Sequence, residues 1–194
     1  ALNDTWRFYS RGGDCTQNSD CPTGYCTDGV CCERDECGTC EACNVIGSSG
    51  TCGKIRGAID ADSCTGGKSC DATGACKPVN GQACKVGSDC ASGSCVDEVC
   101  CDTECKGTCQ ACRADLKASG SSGTCGPAKN GIDPKNDCPD DGALSCQRDG
   151  QCDGAGRCRT YTKGTSCGAS ACIGNRAAGR VCDGIGACTN SADG

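Results

Sequence analysis

The chain has 194 residues, of which 29 are cysteine and only 16 are Leu, Ile or Val, so an ordinary aliphatic core is excluded. It contains no histidine, which excludes histidine-based acid–base catalysis, Ser–His and Cys–His nucleophile pairs and mixed cysteine–histidine zinc sites. The net charge of −6 argues against nucleic acid and anionic membranes as partners, and no apolar run is long enough to predict a transmembrane helix.

The cysteine content predicts a disulfide scaffold in an oxidising, extracellular or cell-surface location. We expect a small disulfide-rich fold with little regular secondary structure, formed by short β-hairpins and one or two short helical turns. Tandem units of this kind predict an elongated repeat, because each unit contacts mainly its neighbours. The sequence suggests no catalytic residue, so we do not expect an enzyme.

Residues 1–11 form an N-terminal arm that has no cysteine and holds three of the five aromatic residues, Trp6, Phe8 and Tyr9. The alternation in Thr5–Tyr9 predicts a strand with Trp6 and Phe8 on one face. One interpretation is that the arm folds back on its own module. Another is that it docks on a neighbouring subunit by adding to a groove or sheet edge, which would make the three aromatic residues a partner-docking site.

A sequence repeat follows the arm, with a first cysteine-rich module at residues 12–80 and a second at 81–163. Five cysteines of the first module recur 69 positions later, and Gly47–Gly53 matches Gly120–Gly126 as GSSGTCG. The remaining residues, 164–194, are interpreted as a partial third module. The five pairs are Cys15 and Cys84, Cys21 and Cys90, Cys26 and Cys95, Cys31 and Cys100, and Cys32 and Cys101.

Within the modules, Asp-Gly beside a β-branched residue predicts a hairpin turn at Thr27–Val30. The i, i+3 spacing of Cys37, Cys40 and Cys43 is compatible with one face of a short helix. A second short helix is predicted at Gln110–Ala118. Further tight turns are predicted at Asp71–Gly74, Asp153–Gly156 and Asp183–Gly186.

An odd number of cysteines leaves at least one thiol without an intramolecular partner. The division into modules assigns 12, 13 and 4 cysteines, so the surplus falls in the second module if bridges stay within modules. The candidates for an unpaired or intermolecular cysteine are Cys138, Cys146, Cys152 and Cys158.

Two metal-binding alternatives remain open. The C-x2-C pairs Cys40–Cys43 and Cys109–Cys112 could each be half of a thiolate zinc site, although the C-x-C spacing of metallothionein-like chains is absent. Loop aspartates offer calcium ligands, but no EF-hand spacing appears and turn formation explains them better. We therefore assign no metal and no cofactor. The aspartates are Asp60, Asp62, Asp133, Asp137, Asp140 and Asp141.

These motifs resemble the tandem cysteine-rich modules of large secreted and cell-surface proteins of myxobacteria and related bacteria. The matching stretches include SDCPTGYCTDGVCC at Ser19–Cys32, SDCASGSCVDEVCC at Ser88–Cys101, CGTCEAC, CKGTCQAC, GIDPKNDC and CDGAGRCRTYTKGTSCGASAC. Leu2–Trp6 is similar to the closing strand of a kelch blade, which makes the arm a possible remnant of a propeller. The resemblance implies secretion, disulfides and a stalk-like or surface role, and it implies no catalytic residues.

The leading hypothesis is a secreted structural protein, a disulfide-stapled rod that forms an extracellular fibre, stalk or surface layer. Its partner would be a second copy of the chain, bound through the N-terminal arm. The alternatives are an extracellular adhesion or binding module with a carbohydrate or surface ligand, a protease-inhibitor-like domain and, as a minor alternative, a thiolate metal-binding protein.

Overall fold

The computed structural model describes residues 10–173 and 176–191, with the backbone alone for residues 170–173 and 176–178. The predicted arm strand at Thr5–Tyr9 and the docking residues Trp6, Phe8 and Tyr9 lie outside the described residues.

Short antiparallel strands are the main regular structure. Six two-stranded sheets pair β1 with β2, β3 with β4, β5 with β6, β7 with β8, β9 with β10 and β11 with β12, and one three-stranded sheet has the order β13-β14-β15 in the described residues. The strands are β1 Cys26–Thr27, β2 Val30–Cys31, β3 Glu41–Ala42, β4 Gly53–Lys54, β5 Lys68–Cys70, β6 Cys76–Pro78, β7 Cys95–Val96, β8 Val99–Cys100, β9 Gln110–Ala111, β10 Gly126–Pro127, β11 Arg148–Cys152, β12 Cys158–Thr160, β13 Ser166–Ile173, β14 Arg176–Cys182 and β15 Cys188–Asn190.

Helical structure in the described part of the chain is limited to single 3-10 turns at Asn18–Asp20, Gly87–Asp89, Ala114–Leu116 and Ala143–Ser145. The fold-class prediction is therefore confirmed: this is a disulfide-rich fold with little regular structure.

The hairpin predicted at Thr27–Val30 is confirmed. Asp28 and Gly29 have φ values of 55° and 77°, so both turn residues are left-handed. This is the type I′ geometry that matches the twist of a two-residue hairpin. Asp97 and Glu98, at φ 52° and 65°, form the same turn between β7 and β8.

One helix prediction is wrong in extent and the other fails altogether. The segment Gln110–Ala118 begins as strand β9, and only Ala114–Leu116 completes a 3-10 turn. The second prediction, a helix through Cys37, Cys40 and Cys43, fails because Cys40 is left-handed at φ 57° and is followed directly by strand β3.

The twelve cysteines of residues 12–80 form six bridges with one another. The sequence separations within these bridges run from 10 residues in Cys21–Cys31 to 30 in Cys40–Cys70. The set is Cys15–Cys26, Cys21–Cys31, Cys32–Cys43, Cys37–Cys52, Cys40–Cys70 and Cys64–Cys76.

Equivalent cysteines are joined in the second module. Five bridges correspond one to one with bridges of the first module, and Cys90 and Cys100, the counterparts of Cys21 and Cys31, are also disulfide-bonded. The five are Cys84–Cys95, Cys101–Cys112, Cys105–Cys125, Cys109–Cys152 and Cys138–Cys158.

The assumption that bridges stay within the predicted modules is wrong, because Cys146 bonds to Cys182 in residues 164–194. Together with Cys167–Cys188, this bridge anchors the hairpin β14–β15, which is of the same kind as β5–β6 and β11–β12. The three anchoring cysteines share a left-handed backbone, with φ 57° at Cys40, 53° at Cys109 and 55° at Cys146.

The prediction of the odd cysteine is corrected accordingly. Cys138, Cys146, Cys152 and Cys158 are all disulfide-bonded, so none of them is the surplus thiol. All 28 cysteines other than Cys172 are bonded. By elimination, Cys172 is the cysteine that the odd count leaves without an intramolecular partner. Its side chain lies outside the described part of the chain.

Sulfur takes the place of an apolar core. Cysteine side chains dominate the buried clusters, and those of Cys31, Cys32, Cys40 and Cys43 are fully enclosed. The largest cluster consists of three cysteines and two alanines, Cys109, Ala111, Ala128, Cys138 and Cys152.

The chain divides into two compact units. One comprises Ala1–Val79 and Val86–Gly93, and the other comprises Asn80–Lys85 and Ser94–Gly194. Across the described residues, no helix has the length and hydrophobicity to span a membrane.

The bridge assignment predicts the thiol count. Titration of the denatured, unreduced chain is expected to find at most one thiol per chain, with alkylation confined to Cys172 and abolished in Cys172→Ser. Two or more thiols, or alkylation at another position by peptide mapping, would contradict the assignment.

The Cys146–Cys182 bridge predicts a stability loss. Replacing both residues by alanine is expected to lower the free energy of unfolding by about 2–4 kcal/mol, because the bridge restricts the unfolded chain. Guanidinium denaturation measures the loss, and the Cys167→Ala/Cys188→Ala variant, which opens a bridge of 21-residue separation, is the comparison. An unchanged midpoint would show that this bridge does not form.

Candidate functional site

An aspartate recurs at the start of the loop in three hairpins, β5–β6, β11–β12 and β14–β15. Oδ1 of Asp183 accepts hydrogen bonds from the amides of Ile185 and Ala187, at 2.8 and 3.0 Å. Asp71 and Asp153 accept from the corresponding amides, which explains the tight turns predicted at these positions. Because the amides are satisfied locally, each loop is rigid without further secondary structure.

Asp71, one of these three turn aspartates, also forms an ion pair. Its Oδ2 lies 2.7 Å from Nζ of Lys77, and its side chain is almost fully buried. The Lys77 ammonium, together with hydrogen bonds from Thr73 and Ala75, holds the pKa of Asp71 well below its usual value of 3.8. Asp71 is therefore ionised at neutral and mildly acidic pH.

A different aspartate, in the turn of the hairpins β1–β2 and β7–β8, binds the amide of a cysteine that follows the hairpin. Oδ2 of Asp28 accepts a 2.6 Å hydrogen bond from the amide of Cys43, and Oδ2 of Asp97 accepts the same bond from Cys112. The sequence predicts only a turn role for Asp28. The recurrence of Asp at the same offset as the cysteines was the signal for this further role.

The calcium candidates Asp133 and Asp137 are occupied by protein donors. Asp133 accepts from the amides of Asp137 and Cys138, and Asp137 accepts from the amide of Cys109. These carboxylates order the loop that carries Cys138, as their interpretation as turn residues predicts.

Asp140 and Asp141 are also occupied by protein donors. Asp140 accepts from the Tyr161 hydroxyl at 2.6 Å, and Asp141 pairs with Arg148 at 2.8 Å. The hydrogen bond to Asp140 raises the pKa of Tyr161 to about 12.

An open polar groove of about 450 Å³ lies beside Asp140, lined by residues 136–140 and 149–151.

Asp60 and Asp62 form a carboxyl pair. Asp60 is buried and accepts from the Cys40 amide at 2.9 Å and from the Ser63 hydroxyl. The hydrogen bond between the two carboxyls, reinforced by burial, raises the pKa of Asp62. Asp60 therefore holds the Cys40 amide in place.

The sulfur groups considered as metal ligands are present as disulfides. Several sets of three sulfur atoms lie within 4.8 Å of one another, such as Cys40, Cys64 and Cys76. In this set Cys64 and Cys76 form one disulfide and Cys40 belongs to the neighbouring one. A bridged sulfur is not the thiolate that a zinc site requires. The C-x2-C pairs at Cys40 and Cys109 are likewise bonded to other partners, so the arrangement is that of stacked disulfides.

The surface exposes isolated aliphatic side chains in loops. Leu144 is 75% exposed and Ile185, at the tip of the third hairpin, is 86% exposed. These two residues lie in neighbouring segments, because Nε2 of Gln147 donates to the carbonyl of Gly186 at 2.6 Å. Further exposed aliphatic residues are Ile46, Ile59 and Val86.

The environment of Asp71 predicts a pH dependence. Because its folded pKa is lowered, its stabilisation is fully present above its ordinary pKa of 3.8 and is lost as the pH falls below that value. Asp71→Asn keeps an oxygen acceptor but loses the ion pair, so the variant should be less stable at neutral pH and lose less stability on acidification. Guanidinium midpoints between neutral pH and about pH 2 measure this, with the exposed Asp35→Asn as control. Equal acid-induced losses in Asp71→Asn and the unmodified chain would contradict this prediction.

No protein-family model matches the chain, and neither a curated protein nor a solved structure matches it.

Proposed function

We propose that this is a secreted structural protein that builds an extracellular fibre, stalk or surface layer, without enzymatic activity. The observation that carries the proposal is the disulfide core. At least thirteen bridges hold a chain whose buried clusters consist mainly of cysteine with a few small apolar residues. Extensive disulfides are typical of stable domains in oxidising, extracellular-type compartments.

Rigidity of the loops supports a structural role. The hairpin turns are closed by their own aspartates, and the loop residues are held between bridges. A chain built in this way keeps its form without a large apolar core. The same construction resists proteases, because a closed, hydrogen-bonded loop does not readily adopt the extended form that a protease cleaves.

The N-terminal arm is the proposed docking element. Trp6, Phe8 and Tyr9 supply large apolar surfaces in a segment without cysteine, and aromatic residues are enriched at the centres of interfaces. In this proposal the arm of one copy binds a module of the next. A head-to-tail contact that does not close into a ring produces a filament. The resemblance to myxobacterial surface modules agrees with such a role.

Arm deletion tests the proposal. The intact protein is expected to form filaments visible by negative-stain microscopy at high concentration, and a chain lacking residues 1–10 is expected to stay monomeric in light scattering. Trp6→Ala/Phe8→Ala should weaken assembly by at least about tenfold in critical concentration, since each buried aromatic anchor contributes 1 kcal/mol or more.

The control is Tyr25→Ala, which removes a 39% exposed aromatic side chain in the first module and should leave assembly unchanged. Filaments that form equally well without the arm, or an intact protein that remains monomeric at high concentration, would reject the structural proposal.

A binding or adhesion module is the second candidate, and the exposed aliphatic residues Leu144 and Ile185 favour it. Under this alternative the intact protein is monomeric and adheres to a surface or ligand through these loops. Leu144→Ser/Ile185→Ser would then abolish adhesion without affecting folding. Arm-dependent filaments that this variant still forms would favour the structural role.

A further inference from the structure

Two disulfides of the second module are in direct contact. Sγ of Cys109, which is bonded to Cys152, lies 3.2 Å from Sγ of Cys138, which is bonded to Cys158. The sulfur atoms of Cys109, Cys138 and Cys152 all lie within 4.8 Å of one another. We call the four residues Cys109, Cys138, Cys152 and Cys158 the sulfur cluster.

Solvent reaches the sulfur cluster at one position. Cys109 and Cys152 are fully buried and Cys138 is 3% exposed, whereas Cys158 is half-buried. Thiol–disulfide exchange requires access of the attacking thiolate to a sulfur atom. A thiol from solution therefore attacks Cys158, and Cys138 is the sulfur that leaves.

The leaving sulfur is placed beside a second disulfide. A Cys138 thiolate lies next to Cys109. Freed from Cys158, its side chain can rotate into line with the Cys109–Cys152 bond, and its attack on Cys109 then forms a Cys109–Cys138 bond and releases Cys152 as a thiolate. The loop of Cys138 is held close to Cys109 by a 3.1 Å hydrogen bond from the Cys109 amide to Asp137. This contact does not depend on either disulfide.

The released sulfur also has a partner. Cys152 and Cys158 are directly opposed across the β11–β12 hairpin. Opposed residues of an antiparallel pair have Cα separations of about 4.5–5.5 Å, within the range that a disulfide spans. The Cys152 thiolate can therefore attack the mixed disulfide at Cys158, which forms Cys152–Cys158 and returns the small thiol to solution.

We propose that the Cys138–Cys158 bridge is a thiol-reactive site through which the sulfur cluster isomerises to Cys109–Cys138 and Cys152–Cys158. Two disulfides are present before and after, and the thiol is regenerated, so no net oxidation or reduction occurs. The proposal does not depend on the structural role proposed above.

Isomerisation changes what the bridges connect. Cys109–Cys152 joins the β9 segment to the β11–β12 hairpin, whereas Cys152–Cys158 closes the hairpin on itself. After exchange the hairpin is held by hydrogen bonds such as Gly131 to the Cys152 carbonyl, at 3.0 Å. The exchange would convert a covalently fixed joint into one that can open, under the control of an external thiol.

A single variant and a matched double variant test the first transfer. Cys158→Ser leaves Cys138 as a thiol beside Cys109, and we expect N-ethylmaleimide and peptide mapping to find label at Cys152 together with a Cys109–Cys138 peptide. The matched control Cys138→Ser/Cys158→Ser removes the same bridge without leaving a thiol in the sulfur cluster, and it should keep Cys109–Cys152 intact and unlabelled. Label at Cys138 without label at Cys152 in Cys158→Ser would overturn the proposal.

The unmodified protein provides the second test, which does not depend on the folding of a variant. The native chain is treated with limiting 2-mercaptoethanol, quenched with acid and mapped without reduction. Cys109–Cys138 and Cys152–Cys158 peptides should appear together, while the bridges of Cys15, Cys21 and Cys32 stay unchanged. A mixed disulfide at Cys158 without these peptides, or scrambling of all bridges to the same extent, would overturn the proposal.

Discussion

Contact between one disulfide and the next is the interaction on which this structure depends. With so few aliphatic residues, the chain cannot bury enough apolar surface to offset the entropy of ordering it. The sulfur atoms contribute in two ways, since each bridge restricts the unfolded chain and each buried sulfur also packs against its neighbour. The triplet Cys109, Cys138 and Cys152 shows both contributions in one cluster.

Aspartate supplies what the missing secondary structure would otherwise provide. A chain with few helical or β-sheet hydrogen bonds leaves many backbone amides without partners, and such amides are costly to bury. Asp28, Asp71 and Asp183 each direct carboxylate oxygens at these amides, at positions fixed relative to the cysteines. The acidic composition is therefore in part a structural requirement of a fold made of turns.

Local chemistry could be read from the sequence, whereas long-range pairing could not. Asp-Gly predicted the hairpin at Thr27–Val30, because the turn needs residues that tolerate a positive φ. The cysteine spacing gave no information on partners, so Cys146 was placed in the second module although it bonds to Cys182. The helix through Cys40 failed for a related reason. An i, i+3 spacing indicates a helix only if the residues are helical, and Cys40 is left-handed, with its amide bound to Asp60 and its sulfur bridged to the distant Cys70.

The closure of the bridges within separate stretches of sequence has a mechanical consequence. Pulling on the two ends of the chain cannot lengthen a segment that a disulfide closes, so bridged segments transmit force with little extension. The six bridges of the first module end at Cys76, and the next begins at Cys84. Among the described bridges none crosses residues 77–83, and these seven residues could extend to roughly 25 Å at 3.3–3.6 Å each. Compliance under tension would therefore be concentrated in this short segment, while the stretches on either side behave as nearly inextensible material.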